Sequence, residues 1–345
     1  MLAKIFLFLH ITHSLETHYY RHAQAIRASS MITAEPFLAM KKLRFLLSLT
    51  NDDNDYQIEQ ASAADQVARK LGVDLEIVYA GNDGIKQSQQ LLSSIQSTTA
   101  QRTDAILFEP AGSTTHPQVA RAAAAAGIGV VLLNRDADYV PELRQLFHVP
   151  AFAITSNHED IGRIQGQQLS SLVPDGGVIL YIHGPGESLP AKQRYTGMLE
   201  TKADNLTLRI LKAQWTEASA FKGVCSWLQL PTSHQVQIRA VCAQDDSMAL
   251  GARKAFEKCR ASQEDWKRIP FLGCDGLPKT GLDWVRRNLL TATIAIPANA
   301  GLAIEMMVKS INTGMLPLER TFTVAKPFPS YEVLAQTGRA RAAAN

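Results

Sequence analysis

From Leu43 onward the chain alternates short, nearly continuous apolar runs with longer stretches in which apolar residues recur every three or four positions. Runs of the first kind occupy 43–49, 74–79, 104–108, 129–133, 177–182, 207–213, 238–243, 269–273 and 291–296. They have the length of strands and little polar alternation, as expected of strands covered on both faces. Between them, helical spacing predicts helices near 55–71, 85–100, 115–126, 159–173, 190–203, 218–230, 246–259, 278–288 and 298–313. Gln57, Gln60, Ala64 and Ala68 form a polar-small stripe on the first of these, and the alanines of 122–126 are strong helix formers. Strand and helix alternate throughout, so the pattern is a βαβ series that builds parallel sheets with helices on both faces.

The series breaks near 135–158. Residues 136–150 carry two prolines and mixed charges without a helical period, and 152–155 read as a short extended crossing. We expect one α/β unit to end here and a second to run from about 157 to 295. A helix at 298–313 and a strand near 320–324 can then return to the first unit. Three crossings between two lobes suit closure around a ligand.

At 345 residues the chain can bury two cores, and an apolar share of 46% with 19% charged residues places it among globular proteins. A net charge of +3, with Arg and Lys scattered along the chain, argues against a nucleic-acid partner. Cys225, Cys242, Cys259 and Cys274 show neither CxxC nor metal spacing, so buried free thiols are expected. No apolar run reaches the roughly 18–20 residues of a membrane span. The first 39 residues stand apart. Residues 5–9 resemble a short signal-peptide core behind Lys4, but polar residues separate it from the small-x-small site Ala23-Gln24-Ala25. The alternative is a start at Met40, which leads directly into the first strand; we read 1–40 as a poorly ordered or artefactual segment.

Candidate chemistry gathers where strands give way to helices, the end at which open parallel sheets bind ligands. The run 240–243 stops at Asp245 and Asp246, and 271–273 leads to Asp275. Asp246 and Ser247 are expected to cap the following helix. Glu109 and the pair Asn134-Arg135 occupy equivalent strand ends in the first half, and Arg194 lies on the helix opening after 184–188. Carboxylates and guanidinium groups placed together suit a neutral ligand rich in hydroxyls, each of which donates to one and accepts from the other. Tyr56 or Trp215 can supply an apolar face for a sugar ring.

Other motifs fail on context. Gly127-Ile128-Gly129 enters a strand instead of leaving one, and 184–188 lacks the Lys-Ser/Thr of a phosphate loop. His10, His13, His18 and His22 have helical ligand spacing without a companion acid, so no metal is expected. His116, His148, His158, His183 and His234 sit at isolated loop or cap positions, where solvated rings are expected. No GxSxG or identifiable nucleophile and base is present.

Over about 41–335 the chain resembles the ribose-binding branch of the type I periplasmic solute-binding proteins of ABC transporters, and the related ligand-binding core of the lactose-repressor family. The ordered motifs are Asn54-Asp55-Tyr56-Gln57, Leu132-Leu133-Asn134-Arg135, Ile161-Gly162 with Gly166, and Ala191 through Gly197. Ala243 through Gly251, Gly273-Cys274-Asp275-Gly276 and Thr293-Ile294-Ala295 complete them. The resemblance implies two Rossmann-like lobes with parallel sheets joined by a three-strand hinge. The first lobe would span 41–155 plus 296–324, and the second 156–295 plus 325–345. It implies a ligand set of Asn54, Tyr56, Glu109, Asn134, Arg135, Arg194, Asp245 and Asp275, to which we add Trp215.

There are departures. Asn134 replaces the usual Asp, Asp245 the usual Asn, Cys274 a frequent aromatic, and Ile296-Pro297 stands where a Gln is common. These changes point away from a ribose-specific site. The implied activity is non-catalytic binding of a small carbohydrate for an ABC permease, by a monomer in the periplasm, without cofactor. A soluble sensor that passes its closed form to a signalling partner is the second expectation, and a start at Met40 would make it cytoplasmic. A hydrolase using the acidic pair is the third. A repressor is disfavoured, because residues 1–39 show no helix-turn-helix pattern.

Overall fold

The computed structural model describes residues 42–97, 102–112, 114–260 and 264–343. The expectations for the N-terminal histidines, the small-x-small site and Met40 lie outside the described residues.

The first half folds as β1 (Arg44–Leu49), α1 (Asp55–Leu71), β2 (Asp74–Tyr79), α2 (Gly84–Ile95), β3 (Ala105–Phe108), α3 (Pro117–Ala125), β4 (Gly129–Leu133), α4 (Val140–Phe147) and β5 (Ala151–Ser156). These strands and the late strand β11 (Arg320–Thr323) form a parallel sheet in the order β11-β5-β4-β3-β1-β2. Strand periodicity divides its core in two. Leu46, Ile106, Phe108, Val130 and Leu132 pack on one face, and Phe45, Leu47, Leu107, Val131 and Leu133 on the other. The second face is covered by α1 and by α10 (Asn299–Thr313), which contributes Ala300, Ala303, Ile304 and Met307.

The second half folds as α5 (His158–Leu172), β6 (Gly177–His183), α6 (Leu189–Thr201), β7 (Leu206–Lys212), α7 (Glu217–Leu228), β8 (Ile238–Ala243), α8 (Asp246–Cys259), β9 (Phe271–Leu272), α9 (Gly281–Arg286) and β10 (Thr293–Ala295). Its parallel sheet runs β7-β6-β8-β9, with Leu180, Val241 and Phe271 on one face and Ile179, Ala240 and Leu272 on the other. Single bridges link Leu272 to Ala292 and Asp275 to Ala295, and β10 pairs antiparallel with β12 (Lys326–Phe328). The chain ends in α11 (Tyr331–Ala343). It passes between the sheets three times, from β5 to α5, from β10 to α10 and from β11 to β12.

Three features differ from the sequence expectation. Residues 140–147 form a helix, because Pro141 in its first turn loses no helical hydrogen bond and Val140 and Leu143 suffice to anchor it. Residues 151–156 are not a crossing but a fully buried strand between β4 and β11. The terminal α11 carries little sequence signal, because it buries little more than Leu334 and Gly338. Among the cysteines, Cys242 and Cys274 are buried free thiols as expected. Cys225 and Cys259 are only half-buried, and their sulfurs approach to 3.2 Å between α7 and α8.

Candidate functional site

The strands of both sheets direct their carboxyl ends toward one cavity of about 290 Å³. Asn54, Tyr56, Glu109, Asn134, Arg135, Arg194, Trp215, Asp245 and Asp275 all line it. A wider cleft of about 1180 Å³ alongside α11 contains none of them.

On the first-sheet side, Asn54 caps α1 by accepting from the Tyr56 and Gln57 backbone N–H groups. The cap fixes where Tyr56 enters the cavity. Glu109 follows β3, and its Oε2 accepts from Gln57 Nε2 at 2.9 Å and from Asn134 Nδ2 at 2.7 Å. Asn134 Oδ1 accepts from Asn299 Nδ2 at 2.8 Å and lies 3.3 Å from the Tyr56 hydroxyl, which also reaches Pro297 O at 3.1 Å. An aspartate at 134 would set a second carboxylate against Glu109, so the amide is the residue this network requires. Burial raises the Glu109 pKa, against the lowering effect of Gln57, Arg135 and Asn134. Arg135 is half-buried, and its Nη2 donates to Gly112 O at 3.4 Å.

On the second-sheet side Arg194 is 8% exposed. Its Nη1 donates to Gln244 O at 2.5 Å and stands 3.7 Å from Asp275 Oδ1, and its guanidinium lies 5.7 Å from the Trp215 ring centroid. Burial opposes its charge, but Cys274, Asp275 and Asp245 outweigh burial and raise its pKa. Arg194 Nε has no hydrogen-bond partner. Nor has Asp245 Oδ2, while Asp245 Oδ1 accepts from Met248 N at 2.5 Å at the start of α8. Burial pushes Asp245 up to about 7, although Met248 N–H and Arg194 pull it down. Burial likewise holds Asp275 well above the usual carboxylate range, with Arg194 opposing.

The backbone is unusual at these positions. Asn134, Trp215 and Asp275 have φ of 57°, 58° and 106°. Non-glycine residues held there cost roughly 1–3 kcal/mol each and cluster at functional sites. Asp275 is held by backbone bonds in both directions, from its N–H to Ile294 O and from Ile296 N–H to its carbonyl. Gly184 leaves room for Trp215, whose ring occupies the space a Cβ would need. Across the cavity, Asn54 Nδ2 donates to Trp215 O at 3.0 Å.

Two groups of expectations are corrected. The helix cap is Asp245, not Asp246 or Ser247, because the chain turns into the helix already at Asp246, leaving Asp245 as the last extended residue. Asp246 instead accepts from Gly276 N at 2.7 Å and from Thr293 Oγ1 at 2.6 Å, tying β10 to α8. Ser247 Oγ donates to Asp55 Oδ2 at 2.6 Å, bridging α8 and α1. His116, His158 and His183 are buried, not solvated: His116 packs against Gln87, Ser88 and Phe108, His158 against Asn134, and His183 against Tyr181 and Tyr195; His148 and His234 are exposed.

His158, Gln57, Gln244 and Asn299 were missed as site residues. Gln57 and His158 line the cavity, whereas Gln244 and Asn299 hold Arg194 and Asn134 from behind. Gln57 was visible only as a polar residue on an otherwise small, inward-facing stripe. His158 Nε2 lies 3.4 Å from Asn134 O, and burial, with Arg194 nearby, lowers its pKa to about 3. The unfolded chain takes up a proton below about pH 6.5 that the fold refuses, so the His158 contribution to stability falls as pH drops. The slope is at most about 1.4 kcal/mol per pH unit. We expect His158→Gln to lose about 2 kcal/mol less than the parent between pH 7 and pH 5 in urea unfolding. Parallel losses in the two proteins would refute this assignment.

A family profile described as "Periplasmic binding protein domain" matches residues 45–314. The chain is 26% identical to the ribose import binding protein of Escherichia coli (strain K12) over 271 residues, covering 79% of this chain and 84% of the relative. It is 23% identical to the D-allose-binding periplasmic protein of the same strain over 308 residues, covering 88% and 94%. Among solved structures it resembles the periplasmic binding component of the arabinose ABC transporter from Shewanella sp. ANA-3, bound to L-arabinofuranose. That match has a TM-score of 0.72 at 22% identity and covers 87% of this chain and 97% of the other.

Proposed function

Because the chain belongs to the periplasmic binding protein domain family, we propose that it binds a monosaccharide or polyol in the cavity between its two sheets and releases it unchanged. The observation that carries this is the cavity wall itself. Carboxylates and guanidinium groups from strand ends of both sheets meet there, and Arg194 Nε and Asp245 Oδ2 face no protein partner. Buried polar groups are normally paired, so these two orphans, with His158 Nδ1 as a third in the same wall, call for a ligand that supplies both acceptors and donors. A ring hydroxyl is both. At roughly 30 Å³ per water, the cavity of about 290 Å³ has the scale of a ligand with on the order of ten non-hydrogen atoms.

The lobes of this binding protein are 41–155 with 296–324, and 156–295 with 325–345. The bonds from Asn54 to Trp215 and from Ser247 to Asp55 hold them together around the site. The names of the relatives support transport: the chain serves as the monomeric ligand-binding component of an ABC importer in the periplasm. No helix among the described residues is long and apolar enough to cross a membrane.

A thermal-shift screen of pentoses, hexoses and inositols tests the proposal. A ligand at 100 times its Kd stabilises the native state by about 2.7 kcal/mol, so at least one compound should raise the Tm by several degrees. If no sugar or polyol shifts the Tm while amino acids do, the ligand class is wrong.

A further inference from the structure

The charged groups around the cavity do not balance. Glu109, Asp245 and Asp275 line it, together with the more exposed Asp53 and Glu187, against Arg135 and Arg194. Each guanidinium already has a carboxylate of its own. Arg135 acts on Glu109, and Arg194 stands 3.7 Å from Asp275. Asp245 shares Arg194 with Asp275 and has no counter-charge of its own. Its Oδ1 is used by the Met248 N–H, and its Oδ2 is buried with no partner in a residue only 2% exposed.

Other nearby groups do not help. Asp246 and Asp55 add negative charge behind Asp245, and buried His158 stays neutral near pH 7. Among the described residues, the wall contains no lysine. A buried carboxylate that must share its counter-charge with a second acid is unfavourable, and a cation that also donates hydrogen bonds is its best complement. The helix N-terminus supplies only a partial positive charge.

We propose that the ligand, bound as described above, is a polyhydroxylated ring carrying one protonated amine, such as an amino sugar or aminocyclitol, and that Asp245 selects it through its unpartnered oxygen. The other polar groups read the hydroxyls. The ammonium supplies both the missing charge and the missing donor, in a short charge-assisted hydrogen bond.

Calorimetric titration at pH 7 with matched pairs tests this inference: 2-amino-2-deoxy-D-glucose against D-glucose, 2-amino-2-deoxy-D-galactose against D-galactose, and an aminodeoxyinositol against the corresponding inositol. At least one amine should bind tenfold or more tightly than its hydroxyl counterpart. Asp245→Asn keeps the helix cap, since Asn serves as well as Asp there. In that variant the preference should fall at least tenfold, with the loss on the amine. Equal or tighter binding of the neutral partners overturns the inference and leaves the sugar-binding proposal standing, as does an amine preference that survives Asp245→Asn. Binding of neither series overturns both.

Discussion

Replacing Arg194 by alanine is expected to weaken ligand binding by ~10–100-fold, because a charge-assisted hydrogen bond contributes roughly 1.5–3 kcal/mol and about 1.4 kcal/mol is tenfold in affinity. Arg194 is rigidly presented. Gln244 O holds one arm, Asp275 stands beside it, and the Trp215 ring covers the guanidinium, leaving Nε without a protein acceptor. A ligand oxygen at Nε therefore gains a bond that costs little ordering. The same substitution removes the cation from between Asp245 and Asp275, and breaking such buried pairs costs about 3–5 kcal/mol. The lower end is expected here, because the raised pKa values of both acids let them escape by taking up protons. Arg194→Lys keeps the charge but loses the planar fork, so its affinity should fall between parent and alanine variant. Calorimetry showing affinity within twofold of the parent would remove Arg194 from the site.

Gly162→Ala should damage both stability and binding although residue 162 does not line the cavity. A Cβ there would run into the backbone carbonyl of Arg194. Gly166 faces Met198 O and Lys202 N in the same way, and Gly197 faces Glu159 O. Backbone cannot swing aside as a side chain can, so α6 must move away from α5 and take Arg194 with it. Overpacking of this kind typically costs 1–3 kcal/mol, offset in part by the better helix propensity of alanine. We expect a net loss of about 2 kcal/mol in urea unfolding and an affinity loss of ~10-fold from the displaced arginine. Gly223 in α7 is the control: a Cβ there meets nothing within 4 Å, so Gly223→Ala should be neutral or slightly stabilising. Similar behaviour of the two alanine variants would show that close packing of α5 on α6 does not position Arg194.

The same glycines mark what could be read from the chain. Ile161-Gly162, Gly166 and Gly197 entered as members of an ordered motif set, and only the packed helices supply their physical reason. The parallel sheets were legible because 45–49, 105–108 and 130–133 are buried on both faces, which leaves continuous apolar runs. Helix α4 was hidden because a helix anchored by Val140 and Leu143 leaves too little periodicity to outweigh its proline.

Among the acids, Asp245 and Asp246 are adjacent, and a shift of one residue exchanges their roles. Only the observed end of β8 and the cap geometry at α8 assign the cap to Asp245 and the buried tie to Asp246. The Glu109–Asn134–Asn299 network joins residues 25 and 165 positions apart, which no local pattern can report. The buried histidines follow from the same cause. Their neighbours in sequence are loops, but their neighbours in space belong to distant elements.

The central claim is that strand ends of both sheets hold a single hydroxylated ligand between them. Its most direct test is calorimetric titration of the purified chain with the sugar or polyol that gives the largest thermal shift. The titration should be repeated on Asn134→Ala from the first sheet and Asp275→Asn from the second. One ligand per chain and an affinity loss of at least tenfold in each variant are expected, with both variants folded. Unchanged affinity in either folded variant would contradict the central claim, because the ligand would then not be held between the two sheets.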